Sequence, residues 1–415
     1  ERLVNFAGLN VDRYWHFGGA GAGTVFGSKN LKALMVYGDR ELPIPDPQVA
    51  GYRQVFENLH NRLVHSQLMP RLHGPGTTLT VDLAHANNCL PTKNMTEMNF
   101  EQVSHLSAET LAKSNLVRQL SCTGCPIGCV HVATYRRMFG SNSMEYEESH
   151  LAYDGESVTS LGPMLGIQTR NDFFALLEKV AAYGLDPVMT GVVLGWVTEA
   201  LQKGVITEQD TGTSIRFGYV EGYLRVLDGL VGQVNDFYQQ LARGVGDISR
   251  HRGGSEYALA VAGVPLAAPF TGYDDLLTMV VGRRRDGGAY PAVGHRGAPD
   301  SGIPDTVRRL VAKETMYILH GSLGICPLIG KVYDLKSTSQ ALKAVGIKKS
   351  SRQLRCLANQ LCALKHKINR RLGFDPAAVF IPERFFSTLT PEGYLDKGRF
   401  NDMVREYLEQ TGQMQ

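Results

Sequence analysis

Residues 122–129 read Cys122-Thr-Gly-Cys125-Pro-Ile-Gly-Cys129, which places three thiols in a C-x2-C-x3-C array. Three thiolates this close can converge on one iron–sulfur cluster, and a [4Fe–4S] cluster needs a fourth ligand from elsewhere. A three-thiolate zinc site or a buried structural trio would use the same residues. The array favours the iron–sulfur interpretation, because proline and glycine interrupt any pattern typical of a core.

The fourth thiol has four candidates, Cys89, Cys326, Cys356 and Cys362. Cys356 and Cys362 lie in a predicted helix over 350–372 and are explained as core or helix-surface residues. Cys326 lies where a predicted helix ends and the backbone turns. A turn presents a thiol for ligation better than a helix interior does, so we predict Cys326 as the fourth ligand.

The composition excludes several classes of protein. The chain has 415 residues, 43% hydrophobic and 20% charged, so it is neither disordered nor collagen-like and can bury a large core. Its net charge of +3 is too small to indicate a nucleic-acid partner, and no run of 18 apolar residues predicts a membrane span. Seven cysteines, an odd number, favour a reducing compartment, so we expect a cytoplasmic protein.

The periodicity of apolar residues predicts a mostly α-helical chain. An apparent helix over 2–7 and a strand over 33–37 precede a proline-rich joint at 43–47, beyond which the strand signal is thin. Helices are predicted over 49–63, from 171 to a stop at Gly184, and over 187–203, 221–243, 305–320, 350–372 and 397–410. Because Glu1 opens an apparent helix, we interpret the chain as cut from a longer one at its N-terminus.

A glycine-rich loop follows His16. Its glycines are Gly18, Gly19, Gly21 and Gly23, with Lys29 beyond them. Backbone N–H groups of such a loop can cradle a phosphate. Neither the Rossmann fingerprint nor the P-loop pattern is present, so a purely structural glycine turn is equally compatible with the sequence.

Carboxylates gather shortly after the thiol array. They are Glu145, Glu147, Glu148, Asp154 and Glu156, with His150 among them. A solvated acidic segment or a helix start is the usual explanation of such a run. A carboxylate buried near a cofactor would instead be a general acid or base.

Six motifs in the same order make the chain resemble the tungsten- or molybdenum-dependent aldehyde ferredoxin oxidoreductases. They are Gly-Ser-Lys-Asn-Leu-Lys-Ala (27–33), Cys-Thr-Gly-Cys-Pro-Ile-Gly-Cys (122–129), Leu-Gly-Pro-Met-Leu-Gly-Ile (161–167), Tyr-Gly-Leu-Asp (183–186), Leu-Gly-Ile-Cys (323–326) and Ile-Pro-Glu-Arg-Phe-Phe (381–386). Family members begin with a β-rich pterin-binding domain. The resemblance implies the end of that domain at 1–45, a helical domain with the cysteine array at 46–260, and a C-terminal helical domain at 261–415.

The resemblance also implies a bis-pterin tungsten or molybdenum cofactor, Mg²⁺ bridging the pterin phosphates, and one [4Fe–4S] cluster beside a pterin. The cluster ligands would be Cys122, Cys125, Cys129 and Cys326. The glycine loop, from His16 to Lys29, would lie on the pterin phosphate and its Mg²⁺. Two segments would flank the pterins, 181–186 with Gly184, Leu185 and Asp186, and 321–326 with Gly324 and Ile325.

The pocket glutamate of the family has two candidate positions. Counting back from the motif at 161–167 gives Glu156, and counting forward from the cysteine array gives Glu147. We favour Glu156 as the general base, because two downstream motifs support its register. Tyr290 would donate a hydrogen bond to the substrate oxygen.

Three departures from the family pattern bear on the substrate. Ala181 and Gly321 replace the leading aspartates of the two pterin motifs, so two buried acceptors are missing. Tyr290 stands at the position of the pocket histidine, with His295 nearby but shifted. The E-x-x-H metal motif of a dimer interface reads Ala-Leu-Leu-Glu178, so no subunit-bridging metal is expected, and the oligomeric state is left open.

The leading hypothesis is an oxidoreductase that converts a small aldehyde and water to a carboxylic acid and passes electrons to ferredoxin or an iron–sulfur partner subunit. A first rival keeps the cofactor but reduces another carbonyl or an aromatic thioester within a complex, with Glu147 and His150 as a proton-donating pair. A second rival is a non-catalytic electron-transfer or scaffold subunit that keeps the cluster and has lost the pterin.

Overall fold

The computed structural model describes residues 1–19, 21–39, 49–138, 145–267, 269–282 and 302–413. Its strands are β1 (Leu9–Val11), β2 (Trp15–Phe17), β3 (Leu116–Leu120), β4 (Val130–Met138), β5 (Tyr146–Tyr153), β6 (Ala260–Val261) and β7 (Val264–Pro265). Its α-helices are α1 (Ala22–Ser28), α2 (Val49–Val64), α3 (Leu68–His73), α4 (Leu79–Ala86), α5 (Ala108–Ser114), α6 (Gly155–Leu161), α7 (Arg170–Ala182), α8 (Pro187–Gln202), α9 (Glu208–Thr211), α10 (Val220–Gly232), α11 (Asp236–Leu241), α12 (Val245–Arg252), α13 (Tyr273–Gly282), α14 (Ile303–Ser322), α15 (Leu335–Ala344), α16 (Ser351–Arg371), α17 (Arg384–Ser387) and α18 (Lys397–Gln410). The predicted mostly α-helical fold class is confirmed.

Most of the predicted helices are present. Those over 49–63, 187–203, 305–320, 350–372 and 397–410 are confirmed, with ends that shift by at most two residues. The single helix predicted over 221–243 is wrong, because the chain forms α10 and α11 instead. Gln233 takes a left-handed φ of 49° after α10, and the side chain of Asn235 then accepts a hydrogen bond from the Tyr238 amide and caps α11.

Helix α7 ends as predicted. Gly184 has a φ of 64°, its amide donates to the Ala181 carbonyl, and the Leu185 amide donates to the Val180 carbonyl, both at 3.0 Å. This is a Schellman ending, which satisfies the last carbonyl groups of the helix. The ending fixes the backbone of residues 184–186, which the candidate site uses.

Residues 2–7 are not helical, contrary to the prediction. The Asn5 amide donates to the Ala242 carbonyl at 2.8 Å, and the Gly8 amide donates to the Gly184 carbonyl at 2.8 Å. Ala7 also forms a β-bridge with Leu185. Because these backbone groups bond to distant segments, they do not form the local bonds that a helix requires.

Residues 33–37 are not a strand either. Leu34, Met35, Val36 and Tyr37 have no regular structure and are 71–85% exposed. A strand needs a neighbour to supply its hydrogen bonds, and none of the described residues pairs with this segment. The predicted joint at 43–47 lies outside the described residues.

The antiparallel sheet β3–β4–β5 is the main feature that the sequence prediction missed. Its register pairs His131 with Tyr153 and Arg137 with Glu147. The β-branched and aromatic residues of β4 carried the signal, since these residue types favour strands. The sheet matters for function because the cysteine array connects β3 to β4, and because Glu147 and Glu148 of the acidic segment lie on β5 while Asp154 and Glu156 follow it.

Two hydrophobic cores bear on the site. The larger contains residues from Val4 to Tyr407, including Leu259 and Leu266, and the predicted domain bounds stay a prediction. The smaller lies beside the cysteine array and consists of Leu59, Leu63, Leu72, Ile127, Ile329 and Val332. In the part of the chain that the structure describes, no helix has the length and apolar character needed to cross a membrane.

Candidate functional site

The cysteine array is a loop that two left-handed glycines shape. Gly124 and Gly128 have φ angles of 75° and 66°, and the Cys125 amide donates to the Cys122 carbonyl at 3.0 Å. Glycine takes a left-handed backbone at little steric cost. The chain can therefore double back between the cysteines.

Cys326 reaches this loop from the end of α14. Burial raises the pKa of the Cys129 thiol to about 11, and the neighbouring Cys326, Cys122 and Cys125 thiols add to the rise. Burial also raises the pKa of the Cys326 thiol, with further contributions from Cys122 and Cys125, while two amides of the next turn donate to its sulfur and oppose the rise. The structure therefore brings the four predicted thiols together.

The spacing of the thiols bears on the choice between a cluster and a single zinc ion. Sulfurs around one tetrahedral zinc lie about 3.8 Å apart, because each Zn–S bond is about 2.3 Å long. Among the described residues, three donor atoms within 4.8 Å of one another occur at Glu314, Cys362 and His366, and not in the cysteine array. A cluster binds each cysteine at a separate iron, so it does not require three thiols within 4.8 Å of one another.

The glycine loop packs against the protein at three of its four glycines. A Cβ on Gly18 would lie 1.8 Å from Oδ2 of Asp186. Cβ atoms on Gly21 and Gly23 would lie 2.5 and 2.3 Å from backbone oxygens of the N-terminal segment. Gly19 has a φ of 72°, and its Cβ would meet nothing within 4 Å. Gly19 therefore borders open space, whereas the other three are needed for close packing.

Asp186 fastens the glycine loop to helix α8. Its buried carboxylate accepts hydrogen bonds from the Met189 amide, at 2.6 Å, and from the Gly19 and Val188 amides. Burial raises the pKa of the Asp186 carboxyl, and the nearby Asp154 carboxylate adds to the rise. Asp186 is thus the N-cap of α8 and an anchor for the loop.

The two segments expected to flank the pterins share one backbone design. In each, a helix ends at a left-handed glycine, Gly184 with a φ of 64° or Gly324 with a φ of 69°. Two residues after the glycine, Asp186 is the N-cap of α8, and Cys326 is the N-cap of a short 3₁₀ helix over Pro327–Ile329. A proline follows each of the two capping residues. A Cβ on either glycine would meet nothing within 4 Å, so both turns present backbone to open space.

His16 and Asp154 lie close to Asp186. The Asp154 carboxylate acts electrostatically on both His16 and Asp186, and desolvation lowers the pKa of the His16 imidazole while Asp154 opposes this. Asp154 caps α6, since its Oδ1 accepts a hydrogen bond from the Ser157 amide at 2.7 Å. Glu156 follows, partly buried, in the first turn of α6.

Residues 73–78 join the cysteine array to the start of α6. The Nδ1 atom of His73 lies 2.7 Å from the carbonyl oxygen of Ile127, inside the array. Four residues after His73, the Thr77 hydroxyl accepts a hydrogen bond from the Gly155 amide at 3.3 Å. One short segment therefore contacts both parts of the site.

His131 is buried behind this segment and was missed by the sequence analysis. Its Nε2 atom lies 3.2 Å from the His73 carbonyl oxygen, and its Nδ1 atom lies 3.4 Å from the Tyr153 hydroxyl. A Cβ on Gly76 would lie 2.9 Å from the imidazole ring. Burial lowers the pKa of His131. No local pattern around residue 131 indicates that His131 contacts the segment 73–78. Its partners, His73 and Tyr153, come from other elements.

A family profile described as "Aldehyde ferredoxin oxidoreductase, domains 2 & 3" matches residues 54–414. The chain belongs to the aldehyde ferredoxin oxidoreductase family. The tungsten-containing aldehyde ferredoxin oxidoreductase of Thermococcus kodakarensis is 27% identical over 445 residues, spanning 99% of this chain and 69% of the relative. The WOR-like subunit of an aliphatic sulfonate oxidoreductase of Pyrococcus furiosus is 26% identical over 233 residues, spanning 56% of this chain and 36% of that subunit.

The fold is shared with a solved structure, the active site complex BamBC of benzoyl coenzyme A reductase with 1,5-dienoyl-CoA. The TM-score is 0.75 and the identity is 16%, with 99% of this chain and 70% of that chain covered. At this identity the likeness shows the fold alone. Family membership confirms the resemblance seen in the sequence and identifies the chain as an oxidoreductase of the aldehyde ferredoxin oxidoreductase type.

In this aldehyde ferredoxin oxidoreductase homologue, the two candidate glutamates lie in different surroundings. Glu147 is exposed on β5 and accepts hydrogen bonds from the Arg137 guanidinium at 2.6 and 2.9 Å. Glu147 and His150 are three residues apart on one strand and so project from opposite faces. The predicted proton-donating pair is therefore wrong, and His150 lies 3.0 Å from Glu148 instead.

Four other predicted residues are placed as follows. Tyr290 lies outside the described residues, so its role stays a prediction. Lys29 is exposed beyond the C-terminal end of α1, the opposite end from Gly21. The side chains of Leu185 and Ile325 pack on the larger and the smaller core, so only their backbones remain for a cofactor.

Proposed function

We propose that this protein oxidises an aldehyde to a carboxylic acid at a bis-pterin tungsten or molybdenum centre, with ferredoxin or an iron–sulfur subunit as electron acceptor. The observation that carries the proposal is the placement of two sites on either side of residues 73–78. On one side lie the four thiols, and on the other lies the start of α6, which carries Asp154 and Glu156 beside the glycine loop.

The residues present fit the two cofactors. The thiols of Cys122, Cys125, Cys129 and Cys326 lie near one another and would bind a [4Fe–4S] cluster, and the open turns of the glycine loop, of 184–186 and of 324–326 would hold the pterins. When bound, these groups supply two-electron oxidation of the substrate and one-electron transfer to the acceptor. The Mg²⁺ between the pterin phosphates is proposed from the resemblance only.

Glu156 is the group that we assign to proton transfer. It would accept a proton from water or from the hydrated carbonyl, and it lies partly buried in the first turn of α6, beside Asp154. Glu147 is disfavoured because it is exposed and paired with Arg137. Tyr290 would donate a hydrogen bond to the substrate oxygen and orient it.

Metal analysis together with an activity assay tests the proposal. We expect about four iron atoms and one tungsten or molybdenum atom per chain, and aldehyde-dependent reduction of a viologen dye or of ferredoxin under anaerobic conditions. Iron without tungsten or molybdenum would contradict the proposal and favour a scaffold subunit. Tungsten or molybdenum with reduction of an aromatic thioester, and no aldehyde oxidation, would contradict the substrate class alone.

A further inference from the structure

Three helices bury a set of metal-ligand side chains away from the cysteine array. Glu314 comes from α14, and Cys362 and His366 come from α16. The side chains of His366 and Glu314 are only 6% and 10% exposed, and Cys362 is buried as well. Tyr407 of α18 lies against the same group. Charged and metal-ligating side chains are rarely buried together unless they pair with one another or bind an ion.

The helix geometry explains why these side chains meet. Cys362 and His366 are four residues apart, so they project from the same face of α16, one turn above the other. That face packs against α14, which supplies Glu314 from the opposite side. The three donor atoms therefore come from two rigid elements, which hold a binding geometry better than loops do.

The distances match a tetrahedral zinc site. His366 Nε2 lies 3.7 Å from Cys362 Sγ and 3.6 Å from Glu314 Oε1. With bonds of about 2.3 Å to sulfur and about 2.0–2.1 Å to nitrogen and oxygen, tetrahedral zinc would place these pairs about 3.5 and 3.4 Å apart. All three donor atoms lie within 4.8 Å of one another. One ion can therefore reach all three with shifts of a few tenths of an ångström.

Neighbouring groups already fix the orientation of the Glu314 carboxylate. The Tyr407 hydroxyl donates to Glu314 Oε2 at 2.6 Å, and the Lys365 ammonium donates to Oε1 at 2.9 Å. A carboxylate oxygen has two lone pairs, so Oε1 of Glu314 can accept a hydrogen bond from Lys365 and bind an ion at the same time. Hydrogen bonds of this kind orient the carboxylate ligands of metal sites.

We propose that Glu314, Cys362 and His366 bind one Zn²⁺, which joins α14 to α16 independently of the cysteine array. The thiol of Cys362 would lose its proton on binding, and His366 would bind through Nε2 in its neutral form, so one proton or more is released. A donor set of one sulfur, one nitrogen and one carboxylate oxygen is typical of zinc. The site is separate from the proposed redox centre and does not depend on it.

The test is zinc binding by the whole protein with its iron–sulfur site intact. After incubation with one equivalent of ZnCl₂ and desalting, we expect about one zinc per chain by mass spectrometry. Zinc K-edge absorption should show one sulfur scatterer at about 2.3 Å, with nitrogen and oxygen at about 2.0–2.1 Å. Cys362→Ser should remove the sulfur scatterer, and Cys356→Ser, on the exposed face of the same helix, should leave it unchanged.

A second variant keeps the test valid if Cys362→Ser does not fold. Tyr407→Phe conserves the buried ring and removes only the hydroxyl that orients Glu314, so zinc affinity should fall by about 10- to 100-fold. The proposal is overturned if the wild-type protein retains no zinc. It is also overturned if the bound zinc has three or four sulfur neighbours, which would place it in the cysteine array, or if neither variant alters zinc binding.

Discussion

At the scale of single residues, Cys326 is the ligand choice that is easiest to test. Its thiol lies near the Cys122 and Cys125 thiols, whereas Cys356 lies within helix α16. We expect Cys326→Ser to lose most of the iron, because a hydroxyl is a poor substitute for a thiolate on iron. Cys356→Ser should keep the iron content of the wild type. Loss of iron from the Cys356 variant alone would show that the ligand set is wrong, and iron analysis per chain measures both.

Glu156 gives a second prediction at this scale. Glu156→Gln keeps the size of the side chain and removes the base, so turnover should fall by about 10²- to 10⁴-fold while tungsten or molybdenum and iron stay bound. Glu148→Gln is the matched control, since Glu148 is exposed and paired with Arg136. A large loss of turnover in Glu147→Gln, with Glu156→Gln fully active, would move the base to Glu147.

Gly18 gives a third prediction, on stability. A methyl group at this position would lie 1.8 Å from the Asp186 carboxylate, so Gly18→Ala must displace either the loop or the cap of α8. We expect a loss of about 1–3 kcal/mol in the free energy of unfolding. Gly246→Ala is the control, because its Cβ meets nothing within 4 Å inside α12, and it should be neutral or slightly stabilising. Equal melting temperatures for the two variants would contradict this packing.

At the scale of elements, a buried ion pair ties α17 to α8. Arg384, from the Ile-Pro-Glu-Arg-Phe-Phe motif, pairs with Glu199, whose Oε2 accepts from the Asn94 side-chain amide at 2.8 Å. The side chains of Arg384 and Glu199 are 14% and 5% exposed. The pair gives Arg384 of the motif a structural role, because it joins α17 to α8.

Arg384→Met should therefore be strongly destabilising. It leaves the Glu199 carboxylate buried without its main partner, which costs about 3 kcal/mol or more. Arg405→Met, which breaks an exposed pair with Asp402, should cost less than about 1 kcal/mol. Urea denaturation of both variants measures the difference, and similar midpoints would show that the buried pair adds no stability.

At the scale of the whole molecule, Glu178 bears on assembly. Its carboxylate, 18% exposed, accepts a hydrogen bond from Ser149 and lies 3.3 Å from the Arg137 guanidinium. Since these groups occupy the carboxylate and residues 175–178 of α7 read Ala-Leu-Leu-Glu rather than E-x-x-H, we expect no metal that bridges two copies of α7. Anomalous diffraction from crystals of the protein checks this, and an ion between two copies near Glu178 would contradict it.

The sequence by itself determined the parts of this protein whose signals are local. The long helices followed from the 3.6-residue period, and the end of α7 followed from Gly184 and Leu185, because each of these features depends on bonds within a few residues. The cysteine array was recognised from its spacing, and Cys326 was predicted as the fourth ligand from a turn, an assignment that stays a prediction.

Only the tertiary structure decided the features whose partners are distant in sequence. Residues 2–7 formed no helix because the Asn5 amide bonds to the Ala242 carbonyl and Ala7 forms a β-bridge with Leu185, and residues 33–37 formed no strand because the described chain supplies no neighbour. The sheet β3–β5 separated Glu147 from His150, and the packing of Gly18 on Asp186 joined the loop to α8. A strand or a close approach takes its hydrogen bonds and contacts from another segment, and a window of sequence does not contain that segment.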